Sequence, residues 1–180
     1  MKKFLSNILS HFGGQKEIVL GRSEIEATLP HRGDKLLLNR AVISEQKIVG
    51  QFLVTEEVCA GHVIAGVALM RGSDFCDMAA QLIGILVSQH PEINGPFKDG
   101  TKTLAALRYD GVSFRAAVHP GEMVYIETNI NLEVDERHGF VEITGGRFIV
   151  RVGDSPKPRV TISAVTLTPV DTESIKTKTG

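Results

Sequence analysis

A long apolar segment at residues 73–90, SDFCDMAAQLIGILVSQH, constrains the fold more than any other feature of the chain. A helix that is hydrophobic nearly all round must be buried on every side. The residues that break its apolar surface recur at steps of three or four, so they form one narrow stripe: Asp74, Asp77, Gln81, Gly84 and Ser88. Burying an ionised carboxylate costs several kcal/mol unless the group is paired, hydrogen-bonded or protonated. A buried Asp77 that is held protonated near neutral pH would be a proton donor.

A histidine upstream of this helix supplies a proton acceptor. His62 follows Gly61 in a segment that is rich in small residues and is typical of a loop. Because imidazole changes its charge close to physiological pH, His62 is suited to act as a general base. His62 and Asp77 together predict acid–base chemistry.

The composition excludes several classes of protein. The chain has 180 residues, of which 42% are hydrophobic and 23% charged, values typical of one globular domain. A net charge of −1 and the lack of a basic block argue against nucleic acid as the main partner. Cys59 and Cys76 are too few for a disulfide framework, so we expect them reduced in a cytoplasmic protein. No cysteine, histidine or carboxylate cluster has metal-ligand spacing, and we expect neither metal nor cofactor.

The chain divides into an N-terminal extension at residues 1–20, a main domain at 21–170 and a flexible tail at 171–180. The first twelve residues, MKKFLSNILSHF, have apolar side chains at helical spacing and predict a short amphipathic helix. That helix is too short to span a membrane, and we expect it to pack on the domain or on a neighbouring subunit. Gly13-Gly14 then predicts a hinge.

The main domain is predicted to be one helix-containing unit followed by a run of strands. Ser23 and Glu26 form a capping-box pattern for a short helix that must end by Leu29, before Pro30. Two β-rich runs, 35–44 and 47–55, are joined by a turn at 45–46, and Asn94-Gly95-Pro96 predicts a loop. Gly145-Gly146 predicts a bulge or a bend within a strand. The later strand runs are 103–108, 112–118, 123–134, 140–152 and 158–169.

These patterns predict an α+β architecture, in which a long antiparallel sheet curves around one central helix. The sheet can cover only part of a helix that is apolar nearly all round. In a chain of this length the remaining cover is most simply a second subunit.

Five blocks of the sequence, in order, resemble the FabZ type of 3-hydroxyacyl-acyl-carrier-protein dehydratases. The resemblance runs from about residue 25 to residue 170. Each block is similar to a motif of that family: LPHRGDKLLLNR at 29–40 to LPHRYPFLLVDR, GHVIAG at 61–66 to GHFPG, LMRG at 69–72 to VMPG, DMAAQ at 77–81 to E-A-x-A-Q, and FRAAVHPGE at 114–122 to KFRRPVVPGD.

The resemblance implies the hotdog fold, a curved antiparallel sheet wrapped around one long helix and paired across a dimer. It implies elimination of water from a 3-hydroxyacyl thioester on acyl carrier protein, giving a trans-2-enoyl thioester, without a cofactor. His62 would take the C2 proton, and Asp77 would protonate the departing hydroxyl from across the dimer interface. The backbone N–H groups of Gly72 and Ser73 would stabilise the thioester oxygen. Gln81 would orient the Asp77 carboxyl or the released water, and the helix would line an acyl tunnel.

Three positions depart from the family pattern. Residues 63–65, Val-Ile-Ala, replace Phe-Pro, which lengthens the loop between His62 and Gly66 by one residue. The acid is Asp77 rather than glutamate, as in the related FabA-type enzymes. Arg71 replaces a proline next to the helix, where it would pair with Asp74 or contact an anionic group of the substrate.

The residues leave two other functions open. In a hotdog thioesterase, a helix carboxylate would activate water against the thioester, and His62 would be less central. A catalytically silent hotdog subunit would bind an acyl chain or support an active partner. In the dehydratase interpretation, the partners are acyl carrier protein and at least one further copy of the chain, in a dimer or a hexamer built as a trimer of dimers. A landing patch for the acidic carrier would consist of Lys98, Lys102, Arg108 and Arg115. We interpret His31 as a structural residue of the Pro30 turn.

Overall fold

The computed structural model describes residues 2–5, 17–137 and 140–176 of the chain. At its centre lies helix α3, Gly72–Gln89, one residue out of step with the predicted apolar helix at 73–90. Its apolar residues are buried, and so are Asp74 and Gln81 of the polar stripe. The prediction of a central buried helix is therefore confirmed.

Antiparallel strands surround α3. One sheet has five strands in the order β1-β10-β11-β14-β7, a second has seven in the order β2-β3-β4-β9-β12-β13-β8, and β5 pairs with β6 in a small hairpin. The strands are β1 (Lys2–Leu5), β2 (Glu17–Gly21), β3 (Arg40–Ser44), β4 (Lys47–Leu53), β5 (Val63–Ile64), β6 (Val67–Ala68), β7 (Lys102–Asp110), β8 (Ser113–Phe114), β9 (Met123–Asn129), β10 (Leu132–Arg137), β11 (Phe140–Gly145), β12 (Phe148–Val152), β13 (Val160–Ile162) and β14 (Ala164–Asp171).

The two larger sheets are halves of one curved sheet. Four segments of the chain pass from one half to the other after a short interruption: β7 to β8, β9 to β10, β11 to β12, and β13 to β14. At the predicted bulge or bend, β11 ends at Gly145 and Gly146 begins the short gap before β12. A Cβ atom on Gly145 would lie 2.7 Å from Cδ1 of Ile83, so glycine allows the sheet to bend closely around α3. The predicted α+β architecture, a curved sheet around one long helix, is confirmed.

Strand β7 forms one edge of the five-stranded half and contains a bulge. Leu107 has no partner on β14, because its neighbours Ala106 and Arg108 lie opposite the consecutive residues Leu167 and Thr166. An extra residue of this kind reverses the face to which the following side chains point. The last residues of β7 therefore face the side opposite to the one that simple alternation predicts.

The shorter helices correct two predictions. Helix α1, Arg22–Thr28, is capped by Gly21, whose N–H donates to the Glu24 carboxylate at 3.0 Å, so the predicted cap at Ser23 and Glu26 is wrong. The predicted end at Leu29 is confirmed. The predicted loop at 94–96 is wrong, because Gly95–Lys98 forms helix α4 with proline in its first turn, where a missing N–H is tolerated. The remaining helices are α2 (Glu56–Cys59) and α5 (Thr172–Lys176).

Two predicted strand runs are shorter in the structure, and their connecting turn is confirmed. The run at 35–44 becomes a strand only at Arg40, because Gly33–Lys35 is a 3₁₀ turn. The run at 112–118 contains only the two residues of β8. Residues 45–46 form the turn between β3 and β4. Over the described ranges, no helix has both the length and the hydropathy that a bilayer crossing requires.

Both ends of the described chain differ from the prediction. Lys2–Leu5 is strand β1, paired with β10 and anchored by the buried Leu5, so the predicted helix is wrong there. The remainder of that helix and the predicted hinge at 13–14 lie outside the described residues. At the other end, β14 runs to Asp171 and α5 follows, so residues 171–176 are not a disordered tail. Residues 177–180 lie outside the described part.

Candidate active site

A cavity of about 330 Å³ runs along α3 and receives one edge of the polar stripe. From Asp77 to Ser88 the helix rises about 16 Å, which gives the length of the cavity floor. The opposite wall is β7 with Leu167 of β14, and the chain after α1 closes one side. The cavity is lined by Thr28, Leu29, Pro30, His31, Asp77, Ala80, Gly84, Ser88, Phe97, Gly100, Lys102, Thr103, Leu104, Ala106, Tyr109, Leu167 and Thr172.

Asp77 lies in the wall of this cavity and still reaches solvent in the single chain. The surrounding protein displaces part of its hydration, and this burial is the main cause that raises the pKa of the Asp77 carboxyl above its usual value. The negative charge of Asp74 raises that pKa further. His31, Lys35 and Arg71 oppose the shift with smaller effects. Asp77 is therefore the protonatable carboxyl that the polar stripe predicts, although in the single chain it is only partly enclosed and not buried as predicted.

Asp74 has a different environment, because it pairs with the residue that begins the helix. Its carboxylate accepts from the Arg71 Nε–H at 3.3 Å and from the Arg71 backbone N–H at 3.2 Å. The Asp74 side chain is only 8% exposed, whereas that of Arg71 is 42% exposed. Of the two roles predicted for Arg71, the structure therefore contains the ion pair with Asp74.

Gln81 holds a neighbouring segment of backbone against α3. Its side-chain oxygen accepts from the N–H of Leu37 at 3.1 Å, and its amide donates to the carbonyl of Lys35 at 2.8 Å. Both ends of the Gln81 amide are thus used by residues 35–37, in place of the predicted contact with Asp77. Gly84 allows a second close approach, since a Cβ atom there would lie 2.7 Å from Cδ2 of Leu29. The polar stripe thus positions the chain on both sides of His31.

His31 faces the cavity with an unused ring nitrogen. Its Nδ1 atom is buried and has no hydrogen-bond partner among the described residues. Burial lowers the pKa of the imidazole, with a smaller opposing effect from the charge of Asp77. His31 is therefore a neutral imidazole close to the Asp77 carboxyl. The interpretation of His31 as a structural residue of the Pro30 turn did not predict this position.

Tyr109 is a site residue that the sequence did not reveal. It lines the cavity from β7, and burial with the nearby charges of Asp77 and Cys76 raises the pKa of its phenol to about 12. The bulge at Leu107 brings this side chain to the cavity. Sequence alternation alone gives no signal for that bulge.

His62 lies on a hairpin instead of the predicted open loop. Strands β5 and β6 are joined by Ala65 and Gly66, with φ values of 51° and 80°, as in the tight turns favoured in two-residue hairpins. The His62 Nδ1–H donates to the carbonyl of Leu69 at 3.0 Å. Because a carbonyl only accepts, this contact puts the proton on Nδ1 and leaves the Nε2 lone pair free to accept one.

The beginning of α3 provides backbone donors. The first N–H groups of a helix have no partner within it, and within the described part of the chain no hydrogen bond uses those of Gly72 and Ser73. Gly72 lies under the ring of Phe114, because a Cβ atom there would be 2.8 Å from Cζ of that ring. Ser73 is exposed. Glycine thus allows the Phe114 strand to approach the helix N-terminus.

Within one chain, the Asp77 carboxyl lines the cavity and the His62 imidazole lies outside it. His62 is not among the described residues that line the cavity. Val63, Ile64 and Val67 on the same hairpin are exposed. No group of three or more potential metal ligands occurs among the described residues. The arrangement supplies proton donors and acceptors for acid–base chemistry next to an apolar cavity.

Sequence comparison relates the chain to bacterial dehydratases, although no family model matches it. It is 31% identical over 111 residues to the 3-hydroxyacyl-[acyl-carrier-protein] dehydratase FabZ of Thermomicrobium roseum, over 59% of this chain and 70% of that protein. It is 32% identical over 117 residues to the FabZ enzyme of Roseiflexus castenholzii, over 63% of this chain and 77% of that protein.

Structural comparison agrees on the fold. The chain is similar to the dehydratase heterocomplex ApeI:P from Xenorhabdus doucetiae with a TM-score of 0.59 and 16% identity, over 87% of this chain and 97% of that chain. An identity this low shows the fold alone, which is the hotdog fold that the sequence motifs predict.

Proposed function

We propose that this chain, which belongs to the family of FabZ-type 3-hydroxyacyl-[acyl-carrier-protein] dehydratases, eliminates water from a 3-hydroxyacyl thioester held on acyl carrier protein. The product is the trans-2-enoyl thioester. The observation that carries the proposal is Asp77, a carboxyl whose pKa is raised in the wall of an apolar cavity. No cofactor takes part in this proposal.

The elimination needs one base and one acid. His62 removes the C2 proton through its free Nε2 lone pair, and the C2 electron pair forms the double bond to C3. The C3–O bond breaks as Asp77 gives its proton to the leaving oxygen, so that water departs. Because the pKa of Asp77 is raised, a larger fraction of this carboxyl is protonated near neutral pH than of an ordinary aspartate. The proton on His62 then returns to Asp77 through solvent, which resets both groups.

The thioester oxygen gains negative charge as the C2 proton leaves. The free N–H groups of Gly72 and Ser73 at the beginning of α3 are suited to stabilise that charge. The acyl chain then lies in the cavity along α3, between Ala80, Gly84 and Leu104. Gly66 contributes through the hairpin turn that holds His62, and Arg71 contributes by holding Asp74 beside Asp77.

The complete site is proposed to form between two chains. Exposed apolar side chains at Val63, Ile64 and Val67 surround the base, and burying them against a partner is favourable. The free edge of β7 offers unpaired backbone groups, which favours pairing with the same edge of a second copy into one continuous sheet. In such a dimer, His62 of one chain meets Asp77 of the other. A hexamer would then be a trimer of such dimers.

The proposed carrier protein meets exposed basic side chains, of which Lys102 lines the cavity. Lys98, Lys102, Arg108 and Arg115 are exposed, and Arg108 pairs with Asp110 at 2.9 Å. An acidic carrier can contact such residues, with an affinity that falls as salt increases. The two cysteines are free thiols, which suits the reducing cytoplasm that we propose as the location.

Mass spectrometry of the purified protein with short and medium 3-hydroxyacyl carrier-protein thioesters tests this function. Loss of water that is abolished in His62→Ala supports the dehydratase. Release of the free acid would identify a thioesterase instead. An unchanged substrate, together with thermal stabilisation by the acyl carrier, would identify a silent acyl-binding subunit.

A further inference from the structure

We infer that Tyr109 is a further substrate-contacting residue, whose hydroxyl donates a hydrogen bond to the 3-hydroxyl oxygen while Asp77 protonates it. This inference rests on the proposed dehydration and specifies how the leaving group is held. It assigns to β7 a part in the reaction in addition to its place in the sheet.

The register of β7 places Tyr109 on the cavity side. On β14, which has no bulge, Val165 and Leu167 face the same side, and Leu167 lines the cavity. Their partners on β7 are Tyr109 and Ala106, so both face that side as well. Tyr109 lies three residues after Ala106, so in a strand without the bulge it would point to the opposite face of the sheet, because side chains alternate.

The Tyr109 hydroxyl is available to a ligand. No hydrogen bond within the described part of the chain uses its oxygen, although the side chain is half-buried in the cavity wall. Because no protein group uses the O–H at this cavity wall, it can donate to a polar group of a ligand in the cavity. The side chain is also close enough to Asp77 for the charge of that carboxyl to act on the phenol.

The phenol acts as a donor that keeps its own proton. Its pKa is raised to about 12, so Tyr109 keeps its proton near neutral pH. The transferred proton comes from Asp77, the C3–O bond breaks, and the electron pair from the C2–H bond forms the alkene. The hydrogen bond from the Tyr109 O–H orients the leaving oxygen and stabilises the negative charge that grows on this oxygen as the C3–O bond lengthens.

Tyr109→Phe tests the inference with a matched control in the same chain. Tyr125 is half-buried on β9, pairs with Arg151 and Gln51 in the sheet, and does not line the cavity among the described residues. We expect Tyr109→Phe to lower kcat about 10–100-fold, because one hydrogen bond to the leaving oxygen is lost. We expect Tyr125→Phe to leave kcat within about twofold of the parent enzyme.

A saturated carrier-protein thioester without the 3-hydroxyl separates this role from a structural one. Tyr109→Phe should bind it with the parental Kd, because the variant keeps the ring and loses only the contact to the hydroxyl. A kcat equal to that of the parent would overturn the inference. A second result would also overturn the inference: Tyr109→Phe binds the saturated thioester more weakly than the parent, by a factor that matches its whole loss in rate. Tyr109 would then only shape the cavity. If the parent enzyme itself does not dehydrate, the proposed function fails together with this inference.

Discussion

Asp77 combines access to solvent with a raised pKa, and this combination distinguishes it from Asp74 one turn earlier. Asp74 is held by Arg71, whereas Asp77 opens into the cavity with no ion pair within the described residues. We predict that Asp77→Asn lowers the rate of dehydration by about 10²–10⁴-fold, the range for one acid–base group. Steady-state assays with the carrier-bound substrate measure this rate. Asp154→Asn, in an exposed turn, is the control and should leave the rate unchanged.

The same substitution should change the pH dependence of stability. Because the pKa of Asp77 in the folded chain lies above its ordinary value of 3.8, the fold disfavours the ionised form. Stability is therefore lost as pH rises through the pKa of the folded state, and below pH 3.8 the carboxyl has no such effect. Asp77→Asn should raise the melting temperature at pH 7 and leave it nearly unchanged at pH 3. An equal change at both pH values would show that ionisation of Asp77 is not the cause.

At the residue scale, the sequence singled out Asp77 and His62 as candidate residues but did not predict their surroundings. The stripe on α3 identified Asp77 because helical spacing alone determines which residues share a face. Tyr109 escaped prediction because a bulge depends on pairing with β14, which is distant in the sequence. Of the two partners expected for Gln81, the Asp77 carboxyl or the released water, the first is replaced by the backbone of residues 35–37, which only the fold brings near.

The β5–β6 hairpin is the element next to His62, the proposed base. Gly66 has a φ of 80°, a conformation that costs a residue with a side chain about 1–2 kcal/mol. We predict that Gly66→Ala lowers the free energy of unfolding by that amount in urea titrations. It should also reduce kcat, because a displaced hairpin misaligns His62.

Gly146→Ala is the matched control for that experiment. Gly146 is exposed, does not have a positive φ, and has open space where a Cβ atom would lie. Its substitution should change neither stability nor kcat by more than the experimental error. Equal effects of the two substitutions would mean that the hairpin turn has no special part in aiming His62.

Other elements show where local sequence was overruled by tertiary contacts. Residues 2–5 have a helical pattern but form β1, because the edge of β10 offers backbone partners and Leu5 is buried there. The long helix and the general positions of the strands were predicted correctly, because their periodicity extends over many residues. The runs at 123–134 and 158–169, however, each contain two strands. Short elements such as α4 depend on single turns and gave weaker signals.

At the scale of the whole molecule, the proposed active site requires at least two chains. The edge strand β7 carries Leu107, which is 47% exposed, and we propose that this edge pairs with its copy. We predict that Leu107→Glu weakens the dimer, because two like charges would be brought together at the interface. Light scattering after size-exclusion chromatography should show a shift toward monomer, with a parallel loss of activity.

Leu53→Glu is the control for the interface. Leu53 is 46% exposed and belongs to β4 in the seven-stranded half, away from the β7 edge. Its substitution should leave the oligomer unchanged. If Leu53→Glu dissociates the oligomer and Leu107→Glu does not, the chains associate through another surface.

The whole-molecule fold could be predicted further than its assembly. The five motif blocks and the apolar segment predicted a curved sheet around one long helix. The structure contains this sheet and helix α3. The position of His62 relative to a second chain depends on packing between surfaces, which a single sequence leaves open. The exposed Val63, Ile64 and Val67 are the structural feature that points to that contact.

The measurement that tests the central claim most directly mixes two inactive variants, His62→Ala and Asp77→Asn. The two proteins are refolded together so that their subunits exchange, and dehydration of a carrier-bound 3-hydroxyacyl thioester is measured. If each site takes His62 from one chain and Asp77 from the other, half of the dimers are mixed and each has one intact site. The account therefore predicts recovery of about a quarter of the parental activity. Activity no greater than that of the separate variants would contradict it, because a site contained within one chain cannot be restored by mixing.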